Sequence, residues 1–209
     1  MCHTSKFSKK TTYSLIFELK KSFFHKIKYM KKAGIISIIF VTIAIVGIYL
    51  FLCLSYIFYP IKYKDTILLY SEEYNIESNL IASLINAESS FNADAISNKG
   101  AIGLMQLMPQ TAKWLAEQLD IEYTDEKLFD PEYNIRLGVY YLSYLSEKFG
   151  DTRTILCAYN AGEGVVRDWL KNSEYSSDGK TLDVIPYAET KAHVEKVEKG
   201  LKIYEKKLR

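Results

Sequence analysis

A carboxylate on an apolar helical stripe is the first feature of this chain that could do chemistry. Ile81, Leu84, Ile85 and Glu88 follow one another at helical spacing. Glu88 therefore shares the face that the three aliphatic side chains should bury. Its neighbours Ala87 and Ser89 are small. Desolvation and the negative end of its helix both disfavour a charged carboxylate, so the pattern predicts a raised pKa. A carboxyl that keeps its proton near neutral pH is what general acid catalysis requires. The alternative is structural: a Glu paired with Arg or Lys inside the fold, or standing at the solvent edge of the stripe.

Residues 89–112, SSFNADAISNKGAIGLMQLMPQTA, follow directly. Gly100 and Gly103 permit turns with positive φ and close backbone approach to a ligand. Leu104, Met105 and Gln106 combine a soft apolar surface with a two-sided amide, which suits the flat faces and hydroxyls of sugar rings. Alone, such a segment is more often a plain connector. Other chemistries lack their residues. The chain has no Gly-rich phosphate loop, no G-x-S-x-G and no H-E-x-x-H. His3, His25 and His193 fall in three different contexts, and Cys2, Cys53 and Cys157 in three different regions. No metal or other cofactor is expected, and no disulfide within residues 60–209.

The elements that must position Glu88 are all helical, and strand alternation is not sustained. The periodicity predicts helices over 62–74, 78–89, 108–119, 130–149, 152–160, 164–171 and 187–207. Asp130 and Pro131 supply a cap and a first helical residue, and Gly150 supplies a stop. Residues 172–183 are polar and read as a loop. Residues 60–209 thus form one all-α domain, large enough to hold an ordinary core without disulfides.

With the blocks laid out in order, residues 66–205 resemble the lytic transglycosylase, lysozyme-like (goose-type) domain. The resemblance is carried by Glu88-Ser89, Ser97 with Gly100-Ala101, Gly103-Leu104-Met105-Gln106, residues 134–142 (NIRLGVYYL), Ala158-Tyr159-Asn160-Ala161-Gly162, and Pro186 with Glu189-Thr190. It implies that Glu88 is a single catalytic acid/base. It implies that Ser97 bonds near that carboxylate and that Met105 and Gln106 line a sugar cleft. Tyr159 would point its hydroxyl at the glutamate, with Asn160 beside it in the cleft. Glu189 belongs to a partly structural Glu-Thr pair. The family usually has a Tyr four residues after that Glu, and here His193 stands in its place. The implied reaction is cleavage of the β-1,4 bond between N-acetylmuramic acid and N-acetylglucosamine in peptidoglycan, leaving a 1,6-anhydro end. The competing readings are a hydrolytic muramidase, helped by a second carboxylate such as Asp94, and a non-catalytic peptidoglycan-binding module. Glu163, near the Ala158–Gly162 block, reads as solvated or capping.

Charge divides the chain into three parts. Residues 1–32 carry nine Lys and one Glu, a net of +8. Residues 33–59 carry no Asp, Glu, Lys or Arg, and residues 60–209 carry 18 Lys+Arg against 24 Asp+Glu, a net of −6. The acidic part argues against nucleic acid as a partner. A helix over the 27 uncharged residues would be about 40 Å long against a hydrocarbon core of about 30 Å. Lysines flank it on the N-terminal side, which predicts a cytoplasmic N-terminus and an extracytoplasmic C-terminal part. A cleaved signal peptide fits less well, because the apolar run is long and no A-x-A-like site follows. The expected organisation is a basic tail (1–32), a transmembrane anchor (33–59), a short stalk (60–65) and a catalytic domain (66–207). The partners expected are peptidoglycan strands, the membrane and other cell-wall or secretion machinery. Leu15, Ile16, Leu19, Phe23 and Ile27 among lysines suggest an amphipathic helix at the inner leaflet, with a solvated tail as the alternative.

Overall fold

The computed structural model describes the backbone of residues 5–209, with the side chains of only part of residues 5–36 and all later ones except Ser55 and Tyr56. The chain divides into two compact units, residues 1–54 and 55–209. In the first, α1 (Ser5–Phe58) is continuous through the basic and apolar stretches. Its stretch Ser37–Leu54 is long and apolar enough to cross a membrane, and none of it is buried. Phe23 is exposed. The other four residues of the suggested amphipathic face, together with Cys2 and His3, lie outside the described side chains.

The second unit holds the other helices. They are α2 (Lys64–Glu73), α3 (Ser78–Ser89), α4 (Pro109–Gln118), α5 (Pro131–Phe149), α6 (Thr152–Ala161), α7 (Glu163–Leu170) and α8 (Ala188–Leu208). A 3-10 turn at Asp125–Phe129, which periodicity did not suggest, precedes α5. The start of α5 follows from its sequence. The Asp130 carboxylate accepts from the Tyr133 amide at 2.8 Å, Pro131 opens the first turn, and Gly150 closes the helix at φ 68°.

Two apolar clusters build this unit. The larger joins α2, α3, α5, α6 and α8 around Ile81, Leu84, Ile85, Leu142, Val194 and Val197. The smaller joins α4, the 3-10 turn and one face of α5 around Leu115, Leu128 and Leu137. Tyr141 and Tyr159 pack against both. Cys157 is buried in the larger cluster, and burial pushes its thiol up to about 12, so it is an inert core residue.

The short stalk expected at residues 60–65 is not a free spacer. Tyr59, Ile61 and Tyr63 pack on the larger cluster. The Tyr204 hydroxyl donates to the Pro60 carbonyl at 2.8 Å, Lys207 donates to the Tyr59 carbonyl, and Asn86 donates to the Phe58 carbonyl at 3.2 Å. Aromatic and aliphatic residues in that stretch have apolar surface to bury, which composition by position did not reveal.

Helices α3 and α8 run antiparallel in close contact. Ser83 donates to the Val197 carbonyl at 2.7 Å, and Lys196 donates to the Ala87 carbonyl at 2.5 Å. Gly200 makes the approach possible, since a Cβ there would overlap the Ser83 hydroxyl. Gly200→Val should therefore cost about 1–3 kcal/mol through overpacking. It should also separate the far ends of the two helices, so thermal unfolding and activity, measured together on this variant, should both fall.

Candidate active site

Glu88 is the penultimate residue of α3, two positions before Ser90 turns the chain into the left-handed region at φ 52°. The predicted stripe is present: Ile81, Leu84 and Ile85 have no exposed surface. The Glu88 side chain keeps 15% exposure and opens into a pocket of about 240 Å³. That pocket is lined by Ser97, Lys99, Ala101, Gln106, Met108, Tyr159, Asn160 and Glu189 as well. Sequence reading thus brought five of its site residues to the pocket of Glu88: Ser97, Gln106, Tyr159, Asn160 and Glu189.

The wall opposite α3 is a tight loop. The Ser97 amide donates to the Ala101 carbonyl and the Gly100 amide to the Ser97 carbonyl, each at 2.9 Å, and the Ser97 hydroxyl accepts from the Ala101 amide at 2.9 Å. Ile102 bridges to both Ile96 and Leu107. The Gln106 amide donates to the carbonyls of Gly103 at 2.8 Å and Ala95 at 3.1 Å, which directs its remaining oxygen and its apolar stem elsewhere. Asn134 secures this loop from beneath. Wholly buried in α5, it accepts from the Met105 amide at 2.8 Å and donates to the carbonyls of Ile102 at 3.0 Å and Leu128 at 2.8 Å. Gly103, at φ 82°, presses so closely on Asn134 and the Leu128 carbonyl that a Cβ would overlap both.

Two expectations need correction. Met105 does not present its side chain to the cleft. It is fully buried with its sulfur against Gly138, where any Cβ would collide with it. What it contributes is its carbonyl, which accepts from the Tyr159 hydroxyl at 2.8 Å. Tyr159 accordingly does not spend its proton on Glu88, because a carbonyl of a rigid buried loop is already in reach. Burial, and then the nearby Glu88 charge, hold its phenol well above the ordinary tyrosine range, so it stays a neutral donor. Ser97 lines the pocket of Glu88, and its hydroxyl accepts a hydrogen bond within its own loop.

His193 was expected only as a departure at a subsite position. It contacts Glu88 directly: Nε2 lies 2.9 Å from Glu88 Oε1, with the imidazole 10% exposed. Glu189 sits on the rim, paired with Lys99 at 3.0 Å, both side chains about three-quarters exposed. Such a pair contributes little to stability. Asp94 is exposed and does not line the pocket. Among the described residues no cluster of three or more His, Cys, Asp or Glu could hold a metal ion.

The pocket continues into a groove that single blocks of sequence did not announce. A second compartment of about 250 Å³ shares Gln106, Met108, Tyr159 and Asn160 with the first and adds Thr111 and Tyr141. A third, of about 430 Å³, shares Thr111 and Tyr141 and ends at Trp114, Tyr144 and Glu163. Trp114 meets Tyr144 edge-on, ring centroids 5.0 Å apart. Burial pushes Glu163 up, but hydrogen bonds from Arg167 and Tyr144 outweigh it and hold the carboxyl below its ordinary value. Glu163 is thus a structural anion of the groove end. Tyr141 and Tyr144 also pack on the larger apolar cluster, so helical spacing alone does not mark them as groove residues.

An all-α unit with a carboxylate at the end of a core helix, facing a long aromatic groove, is the architecture of lysozyme-like sugar-cleaving domains. Residues 65–182 match the Transglycosylase SLT domain, and the chain belongs to that family. The soluble lytic murein transglycosylase of Escherichia coli K12 is 37% identical over 143 residues, covering 66% of this chain and 22% of that protein. The membrane-bound lytic murein transglycosylase C of Histophilus somni strain 2336 is 39% identical over 104 residues, 44% of this chain and 29% of the relative. Among solved structures, an inactive mutant of the lytic transglycosylase Slt from Pseudomonas aeruginosa aligns with a TM-score of 0.65 at 36% identity, over 72% of this chain and 25% of that one. A complex of the 70-kDa soluble lytic transglycosylase with bulgecin A gives 0.63 at 33% identity, over 70% and 24%. The chain spans about a quarter of the length of these relatives.

Proposed function

We propose that this protein is a peptidoglycan lytic transglycosylase in which Glu88 is the single acid/base. Protonated Glu88 donates to the β-1,4 glycosidic oxygen between N-acetylmuramic acid and N-acetylglucosamine, and the C1–O bond breaks. The carboxylate then takes the proton of the C6 hydroxyl of the same muramic residue. The C6 oxygen bonds C1, leaving a 1,6-anhydro end and regenerating the acid without consuming water. The ring closure is intramolecular, so proximity supplies much of its advantage.

One observation carries this reading. The carboxylates lining the pocket are Glu88 and Glu189, and Glu189 is engaged by Lys99. A hydrolase with a second carboxylate to activate water would need another at the pocket, and Asp94 stands away from its lining. The test is the mass of the products from purified peptidoglycan. Muropeptides lighter by one water than reducing-end fragments are expected, and reducing ends in their place would make the enzyme a muramidase.

The groove would hold several sugars of a glycan strand, with Ser97, Gln106, Tyr159 and Asn160 near the scissile bond and Trp114 and Tyr144 at its far end. Trp114→Ala should raise KM for long strands by about tenfold, a loss of 1–2 kcal/mol of ring contact, while cleavage of short oligomers changes little. Steady-state kinetics on strands of two lengths checks this.

The apolar part of α1 is the anchor in this reading, with a cytoplasmic N-terminus and residues 60–209 extracytoplasmic. Its support is the exposed apolar stretch Ser37–Leu54 and the preceding lysines. Protease added outside intact cells should remove the C-terminal unit and spare the N-terminal tail.

A further inference from the structure

We infer that His193 is a positioning residue for Glu88, its Nε2–H holding Oε1 of the carboxyl so that Oε2 is the oxygen that gives and takes the proton. The inference rests on the reading of Glu88 as the acid/base. Its geometric basis is the 2.9 Å contact between Nε2 and Oε1 in a nearly enclosed setting. The second observation concerns the other ring nitrogen. Nδ1 is buried and has no hydrogen-bond partner among the described residues.

A neutral imidazole carries one N–H and one bare lone pair. With the hydrogen on Nδ1, a buried donor would go unsatisfied and the Nε2 lone pair would face carboxylate oxygen. With the hydrogen on Nε2, the donor is satisfied and only a lone pair is left bare. The second arrangement is the less costly one. It also serves both halves of the reaction. Oε1 accepts from Nε2–H whether Glu88 is an acid or an anion, and the bond strengthens when the proton has left for the glycosidic oxygen. One oxygen is thereby pinned through the cycle, and the other is presented to the groove.

The backbone explains why an imidazole reaches this place. Antiparallel packing of α3 and α8 pairs Ser83 with the Val197–Gly200 turn, and the same register sets His193 beside Glu88. On α8, Lys196 is bonded to the Ala87 carbonyl and Glu189 is tied to Lys99 of the loop; on α6, Tyr159 is bonded to the Met105 carbonyl. None of these supplies an acceptor for Nδ1–H.

The test compares wild type, His193→Ala, His193→Gln, His193→Tyr and Glu88→Gln as full-length chains in detergent, on soluble glycan strands at one fixed pH. His193→Ala should lower kcat by about 10- to 100-fold with KM within about twofold. His193→Gln and His193→Tyr, which keep a neutral donor, should stay within about tenfold of wild type. Wild-type kcat in His193→Ala, an effect on KM alone, or a kcat in both His193→Gln and His193→Tyr as low as in His193→Ala overturns the inference. Should His193→Ala fail to fold, the kcat of the other two decides: within about tenfold of wild type in either supports the inference, and a larger loss in both overturns it. Glu88→Gln separates the two levels: if it remains active, the reading of Glu88 falls and the inference with it. If it is inactive while the His193 variants match wild type, only the inference falls.

Discussion

Glu88→Gln should reduce release of soluble muropeptides by about 10³-fold or more, without loss of fold. The substitution keeps the volume of the side chain and an oxygen that can accept from His193. On the proposed mechanism it removes the proton delivered to the leaving oxygen. The same group is proposed to accept the C6 hydroxyl proton afterwards, so in that reading neither half of the reaction has a substitute. Raising or lowering the pH should not restore the rate, since an amide does not titrate in the usable range. Binding should persist, because Gln106, Tyr159, Asn160 and the distal aromatic wall are untouched. The measurement is peptidoglycan digestion beside sedimentation with insoluble sacculi. Loss of cleavage with retained binding is the expected result. Unchanged cleavage would mean that another residue is the acid.

Asn134→Leu should destabilise the C-terminal unit by about 3 kcal/mol or more. The amide serves three buried backbone groups, of Met105, Ile102 and Leu128, and leucine satisfies none of them. Each buried group left without a partner costs about 1–3 kcal/mol. For a unit of this size, 3 kcal/mol corresponds to a fall in Tm of roughly 10 °C. Asn134→Asp offers a sharper comparison. It can still accept from the Met105 amide, but it turns oxygen towards two carbonyl oxygens, so it should also be strongly destabilised despite equal size. Calorimetry of the full chain checks both. The loop carried by Asn134 holds Ser97 and Gln106, so activity below the melting point should fall as well. A variant that melts like wild type would show that the loop is held by its own bonds.

The helices of the C-terminal unit were legible because their signals are local. The stripe at residues 81, 84, 85 and 88, the Asp130-Pro131 start and the Gly150 stop all act within a few turns of one helix. The 3-10 turn at Asp125–Phe129 was not legible, being short and held by context. Motif order likewise marked Glu88, Ser97, Gln106, Tyr159, Asn160 and Glu189, all of which meet at one pocket.

Hydrogen-bond choice was not legible, because it depends on which acceptor lies nearest in space. Tyr159 turns to the Met105 carbonyl, 54 positions away in sequence, and Met105 itself is buried because α5 presents a bare Gly138 for its sulfur. His193 looked like a local exception to a motif. Only the antiparallel register of α3 and α8, fixed by the small surfaces of Ser83 and Gly200, brings its ring across 105 positions to Glu88. By itself the sequence determined that this chain has an apolar segment, an all-α unit and a carboxylate on a buried stripe, since each is written in side-chain type and helical period. Tertiary structure decided what that carboxylate touches, because contact between distant residues follows from how closely two helices can approach.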